Sequence, residues 1–208
     1  MQTFAEKEAE AFLEKNKFQV IPRMYVKTLV QAQKAAKKLG YPLVIKVSST
    51  KILHKSDVGG VKIDIRTEKE LAQAVAEIQK IKGCEGILVQ KFIPGYQILI
   101  GLKKDQVFGH VLAVGTGGIY TEILKDVNFH IGALQMRDAQ SLLEQLKSYP
   151  ILQGARGTEK ANLDALKNLM VKLSHLPEKY ENIEELDMNP IIVNAKGAYI
   201  ADARIIFS

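Results

Sequence analysis

Short stretches with the two-residue period of strands alternate with longer stretches of helical period along almost the whole chain. That alternation restricts the fold to helices packed on sheets. Leu43-Val44-Ile45-Lys46-Val47, Val61 to Ile65 and Gly86 to Ile93 read as strands. Thr28 caps a helix that Gly40 closes, and Thr67 with Glu70 gives the capping-box spacing for a second helix ending near Gly83. Residues Met1 to Asn16 read as an amphipathic helix with Ala5, Ala9, Phe12 and Leu13 on one face. From Pro94 the texture changes. Gln97–Leu102 and Val107–Val114 pair around a turn at Lys103–Gln106, and a glycine cluster follows at Gly115-Thr116-Gly117-Gly118. Helices over Arg137–Lys147 and Asn162–His175 precede strand-like pieces at Ile183–Leu186, Ile191–Val193 and Tyr199–Ala201, with Pro190 ending a strand or lying at an edge. The reading is an α+β fold: an N-terminal helix over 1–17, a first lobe over 18–93 and a second over 94–208, parted at Ile93-Pro94-Gly95.

A net charge of +6 and a pI near 9.2 favour anionic partners. The lysines are scattered, however, without the aromatic interleaving that tracks nucleic-acid strands, so small anions are expected and nucleic acid is not. One cysteine, Cys84, precludes an intrachain disulfide and points to a reducing compartment. The N-terminus lacks the apolar core of a signal peptide, and no apolar run approaches the roughly 20 residues that span a bilayer. A soluble, cytoplasmic protein without membrane contact is expected.

Four features carry chemistry. Lys46 interrupts an apolar strand, and either its ammonium meets a phosphate or it shares a solvated face with Val44. The stretch Ser48–Gly60, thirteen residues with His54, Lys55 and Gly59-Gly60, is long for a plain connection. It reads as a phosphate cradle of backbone N–H groups, against an ordinary Gly-Gly turn. Glu185, Asp187 and Asn189 fall at period two on one strand, with Asp202 on a later strand within pairing distance. Such hard oxygen donors suit Mg²⁺, and a solvated acidic face is the alternative. Gly117-Gly118 forms an anion nest or a tight turn. The P-loop spacing is absent, and the remaining histidines lack metal-ligand spacing.

Taken in order, the segments Gly40–Lys46, Ile52–Val61, Val89–Lys91, Gly117–Val127, Glu185–Pro190 and Ala201–Ile205 resemble the ATP-grasp β subunit of the NDP-forming (ADP-forming) acyl-CoA synthetases. The resemblance is collinear over essentially the whole chain. It implies an ATP-grasp fold of two α/β lobes with the nucleotide between them. It implies a ligase running acyl-CoA + ADP + phosphate ⇌ acid + CoA + ATP with a CoA-binding α subunit, in an α₂β₂ assembly. ATP or ADP with Mg²⁺ would be bound.

By the same resemblance His54 is the phosphoryl-carrying histidine. Lys46 contacts nucleotide phosphates, with Gly59 and Gly60 lining the loop. The backbone of Gln90, Lys91, Phe92 and Ile93 meets adenine, Gly117 and Gly118 line the phosphate end, and Asn189 and Asp202 hold Mg²⁺ with Asp187 assisting. Three positions differ from the family pattern: Gln97 stands where an acidic residue is commoner, His130 where arginine is expected, and Thr116 where a larger apolar residue is usual. Two alternatives stand beside this reading, an ATP-grasp carboxylate–amine ligase and a nucleotide-binding regulatory subunit without catalysis.

Overall fold

Every strand pairing within the two sheets of the protein is antiparallel, and each sheet buries one face under helices. The computed structural model describes residues 2–52, 54–118 and 126–208, apart from the Arg156 side chain. Leu53 and the motif residues 119–125 lie outside them. The chain forms two compact units: Ile21–Ile93, and Met1–Val20 together with Pro94–Ser208.

The smaller unit has four strands, β2 (Arg23–Val26), β3 (Leu43–Ser48), β4 (Val61–Ile65) and β5 (Gly86–Lys91), in the order β2-β5-β3-β4. Helices α2 (Leu29–Leu39) and α3 (Glu68–Gln79) cover one face. Leu43, Ile45, Val47, Ile87 and Val89 meet Ala32, Ala35, Leu71, Val75 and Ile78 there. Each large side chain so buried contributes roughly 1.5–3 kcal/mol. The small residues of α2 suit close packing on the sheet. Both helices start as the sequence indicates: Thr28 Oγ1 accepts from Gln31 N at 3.3 Å and Thr67 Oγ1 from Glu70 N at 3.2 Å. The second half of the capping box differs, because the Glu70 carboxylate takes the N–H of Arg66 instead of Thr67.

β4 departs from its alternating pattern. Leu43 faces Ile65 but Ile45 faces Lys62, so β4 carries one extra residue, and Asp64 adopts φ 58° at that bulge. The bulge turns Ile63 outward, 65% exposed, and brings Lys62 to the helix side, where Nζ lies 2.6 Å from Glu77. Ile63→Lys should therefore change stability in urea by less than about 0.5 kcal/mol. Ile65→Ala, inside the core, should cost roughly 2–4 kcal/mol.

The larger unit is a seven-stranded sheet with the path β1-β11-β9-β6-β7-β8 and β10 paired to β9. Its strands are β1 (Gln2–Phe4), β6 (Tyr96–Asp105), β7 (Gly109–Thr116), β8 (Val127–Ile131), β9 (Ile183–Asn194), β10 (Gly197–Ile200) and β11 (Ala203–Phe207). Helices α1 (Glu6–Lys15), α4 (Met136–Glu144), α5 (Tyr149–Leu152) and α6 (Leu163–Ser174) all send side chains into the core on one face.

The N-terminal segment, expected to be a helix of its own over 1–17, begins instead with a strand. β1 pairs with β11, and Phe4, Phe12, Phe207 and Tyr180 stack edge to face with centroids 4.8–6.4 Å apart. That aromatic cluster ties the segment to the larger unit, since Phe12 on α1 and Phe4 on β1 bury against the C-terminal strand.

Nor does Pro190 end a strand. β9 runs through it while changing neighbours: residues 183–188 pair with β11 and 191–194 with β10. Its pairing with β6 also shifts register between Ile98 and Ile100. At such a junction no ladder bond from residue 190 is required, so the missing N–H costs nothing.

Candidate functional site

In the smaller unit, strand pairing puts Lys46 and Gln90 on the sheet face opposite α2 and α3. Val44 sits beside Gln90, and Lys46 beside Leu88. Lys46 is only 5% exposed and Gln90 1%, so the solvated-face reading of Lys46 does not hold. Lys91 points elsewhere: its Nζ donates to the carbonyls of Gly40 (2.9 Å) and Tyr41 (2.8 Å), which fixes the entry to β3. The N–H groups of Lys91 and Phe92 donate to the carbonyls of Pro22 and Pro42. The Lys91 end of β3 and the loop carrying His54 are therefore at opposite ends of the strand. The six residues of β3 separate them by about 17 Å, with Lys46 lying along the way.

His54 is exposed and immediately precedes a closed turn. Gly60 N donates to Lys55 O (2.8 Å) and Gly59 N to Ser56 O (3.0 Å), the 6→1 and 5→2 pair that ends a helical turn, with Gly59 at φ 66°. A Cβ on Gly60 would lie 2.5 Å from Val47 Cγ1, so only glycine lets the loop rejoin the sheet there. The expected cradle is thus corrected in one respect. The glycine N–H groups are committed to loop carbonyls and shape a turn that presents His54. At its other end the loop is held by Thr50, whose N–H and hydroxyl both donate to Glu85 (3.1 and 2.9 Å).

In the larger unit, Leu186 and Met188 enter the core while Glu185 and Asp187 point to the open face of the sheet. Across the β9–β11 pairing Asp187 faces Arg204, two residues after Asp202. Burial, opposed by Arg204 and reinforced by the negative charges of Asp202 and Glu185, pushes Asp187 up to about 6. Arg204 itself bonds Glu185 through Nη2 and Oε1 at 2.5 Å. The side-chain oxygen of Asn189 accepts the N–H of Gly118 at 3.2 Å. One corner therefore unites Asp187, Asn189 and Asp202 with the glycine turn. Two carboxylates and an amide oxygen are hard donors that fit Mg²⁺ completed by water, and a divalent cation would relieve the crowding of like charge that raises Asp187. Among the described residues no group of three His, Cys, Asp or Glu is placed to hold a metal ion.

Gly117 and Gly118 press directly on β6. Gly117 N donates to Gln97 O at 2.8 Å, and a Cβ there would lie 2.7 Å from the Ile98 carbonyl carbon. Gly118, at φ 68°, packs against the Gln97 side chain. His130 pairs with Leu112, a core residue, on the helix-covered side of the sheet. Phe129 and Ile131 alternate to the open side, 68% and 54% exposed. That open face holds a concavity of about 380 Å³ lined by Leu99, Gly101, Lys103, Val111, Ala113, Phe129 and Asp187.

Sequence reasoning missed Asp126, which is 5% exposed. Its carboxylate accepts the N–H groups of Lys147 (2.8 Å) and Ser148 (2.9 Å), and Thr116 Oγ1 donates to it at 3.2 Å. Burial acts to raise the Asp126 carboxyl, but these hydrogen bonds, with one from the Ser148 hydroxyl, outweigh it and hold it below the usual range. The only sequence signal was its place, next to last, in the motif Gly117–Val127.

Residues 1–207 match the family described as ATP-grasp domain. The chain belongs to the ATP-grasp family. It is similar to the β subunit of the ADP-forming acetate–CoA ligase II of Pyrococcus furiosus, 38% identical over 212 residues, covering 97% of this chain and 90% of that subunit. The ADP-forming acetate–CoA ligase II of Archaeoglobus fulgidus is also 38% identical, over 202 residues. There the alignment covers 97% of this ATP-grasp chain but 30% of the relative, so the chain spans about a third of that enzyme's length. Among solved structures, the dinucleotide-forming acetyl-coenzyme A synthetase 1 of Ca. Korarchaeum cryptofilum superposes with a TM-score of 0.92 at 35% identity, covering 100% and 94% of the two chains. Another structure of that protein holds coenzyme A and Mg-AMPPCP, with a phosphohistidine segment pointing towards the nucleotide binding site. It superposes with a TM-score of 0.84 at 36% identity, covering 99% and 93%. No helix among the described residues of the ATP-grasp chain is long and apolar enough to cross a membrane.

Proposed function

We propose that this chain is the nucleotide-binding β subunit of an ADP-forming acyl-CoA synthetase, working with a CoA-binding α subunit. The observation that carries this reading is the corner of the larger unit where Asn189 holds the Gly118 N–H beside Asp187 and Asp202. Asn189, Asp202 and Asp187 would hold magnesium, which neutralises phosphate charge in phosphoryl transfer. Lys46 supplies a fixed positive charge for the nucleotide phosphates. Its burial makes that charge stronger in effect than a solvated lysine's. Gln90 to Ile93 meet the base. The N–H groups of Lys91 and Phe92 are already bonded to Pro22 and Pro42.

His54 carries the phosphoryl group. Its imidazole nitrogen bonds phosphorus as the bond to the donor oxygen breaks, and returns the group to ADP by the reverse step. The Lys55–Gly60 turn behind it and the Thr50–Glu85 bonds ahead of it set where the loop starts and stops. The Pyrococcus furiosus β subunit, matched over 90% of its length, supports the assignment to a separate subunit. The acyl chemistry falls to the partner.

Incubation with γ-³²P-ATP and Mg²⁺, with the α subunit of the Pyrococcus furiosus enzyme added, tests this. A protein-bound label that is acid-labile and base-stable, and lost in His54→Asn, is expected. A label that survives His54→Asn would reject the carrier. Nucleotide binding without any label would favour a regulatory subunit. Lys46→Met should weaken ATP binding by calorimetry at least tenfold, on the order of 1.4 kcal/mol or more.

A further inference from the structure

Asp126 has no role in the scheme above, yet it and Thr116 share a set of hydrogen bonds beside the glycine turn. We propose that Asp126 and Thr116 are positioning residues for the magnesium–nucleotide site, acting through Gly117 and Gly118 on Asn189. The proposal rests on the reading of that corner as the nucleotide site.

The connection is continuous. The carboxylate is fixed from below by two backbone N–H groups, of Lys147 and Ser148, at the junction of α4 and α5. Above, it takes the Thr116 hydroxyl at 3.2 Å, and Asp126 O takes the Thr116 N–H at 3.1 Å. Thr116 Oγ1 also lies 3.1 Å from Ser148 Oγ, so the last residue of β7 is held from three sides. Gly117 follows directly and is locked to Gln97 O, and the next N–H, from Gly118, is the one that Asn189 accepts.

An amide oxygen can bind a cation only while its orientation is kept. Here that orientation depends on the Gly118 N–H being where it is. An apolar residue at 116 would have no hydroxyl to give the carboxylate, so the tie depends on Thr116. The Asp126 carboxylate is committed to Lys147, Ser148 and Thr116. Its contribution is to keep the donor of Asn189's hydrogen bond in place.

Substitution of groups that support metal ligands typically costs about ten- to a hundredfold in metal affinity. Calorimetric titration with ATP should show that Asp126→Asn and Thr116→Val weaken binding at least tenfold in the presence of Mg²⁺ and by less than about twofold in EDTA. Thr116→Ser, which keeps the hydroxyl, should restore the wild-type value. In the metal-free protein, amide exchange by NMR should quicken about tenfold or more at Gly118 in Asp126→Asn and Thr116→Val, and stay slow in Thr116→Ser. A purely structural role would lower the unfolding midpoint without splitting the Mg²⁺ and EDTA affinities.

Equal losses in the two titrations, or unchanged Gly118 exchange in Thr116→Val, overturn the proposal. Wild-type protein that binds no nucleotide rejects the functional reading and the ligand named here with it. Wild-type binding with variants indistinguishable from it rejects the positioning role alone.

Discussion

Asp187→Asn is expected to make the metal-free protein more stable at pH 8 by about 1–2 kcal/mol, while weakening its binding of magnesium–nucleotide. The stability effect follows from the raised pKa. In the unfolded chain Asp187 ionises near 3.8, and in the folded protein only near 6, because burial and the charges of Asp202 and Glu185 oppose the carboxylate more than Arg204 supports it. A raised folded pKa contributes stability that is fully present below pH 3.8 and lost as pH rises through 6. Above that, the folded state bears the cost of an ionised, crowded carboxylate. A rise of about two pH units caps that cost near 3 kcal/mol, and partial access to solvent brings the expected figure to about half to two-thirds of it. Urea denaturation at pH 3.5 and pH 8 checks the sign: wild type and Asp187→Asn should coincide at the lower pH and separate at the higher.

Addition of Mg²⁺ and ATP should then reverse the order at pH 8, since ligand binding stabilises only the folded state that binds it. An asparagine that lowers stability at pH 8 without ligand would show that Arg204 dominates and that the carboxylate is a plain ion-pair partner. If the variant instead gains as much from Mg²⁺–ATP as wild type does, Asp187 is no magnesium ligand.

Much of this organisation was legible because periodicity reports which face of an element is buried. The strand at Leu43–Val47, the caps at Thr28 and Thr67 and the boundary near Pro94 all follow from local residue chemistry. Non-local pairing was not legible. Nothing in Gln2-Thr3-Phe4 announces that it pairs with β11, because the partner lies some two hundred residues away. The outward turn of Ile63 depends on one extra residue opposite Leu43–Ile45, which alternation alone cannot reveal. The continuity of β9 through Pro190 depends on where β10 and β11 exchange places.

Within the candidate site the same division holds. Period two placed Asp187 and Asn189 on one strand, but only the fold shows Asn189 spending its oxygen on Gly118. The glycines of the His54 loop were visible, whereas the commitment of their N–H groups to Lys55 and Ser56 carbonyls was not. Choosing His54 over its neighbours required the family resemblance, since exposure on a loop does not distinguish it from Ser56.

Gly117→Ala should be among the most damaging single methyl groups that can be added to this chain, costing about 3 kcal/mol or more, whereas Gly118→Ala should cost about 1–2 kcal/mol. Both positions are glycine, but for different reasons. At Gly117 the added carbon would come within 2.7 Å of the Ile98 carbonyl carbon and 3.0 Å of Gln97 C and Ile98 N. Carbon atoms rest at roughly 3.5–4.0 Å, so the overlap is with three consecutive main-chain atoms of β6. β6 cannot retreat, being laddered to β7 on one edge and β9 on the other. Gly118 is constrained by its positive φ of 68°, and the atom its methyl would strike first is the end of the Gln97 side chain, which can swing away. The order of the two unfolding midpoints in urea therefore tests whether close packing on β6 or backbone conformation fixes the turn. Equal midpoints would mean that the turn rests less tightly on β6 than these distances state. Because Gly117 sets where the Gly118 N–H meets Asn189, Gly117→Ala should also reduce magnesium–ATP affinity at least tenfold. Gly118→Ala with Gln97→Ala, which clears the space for the methyl, should recover part of the loss at 118, and no such partner substitution exists for 117, where the obstacle is main chain.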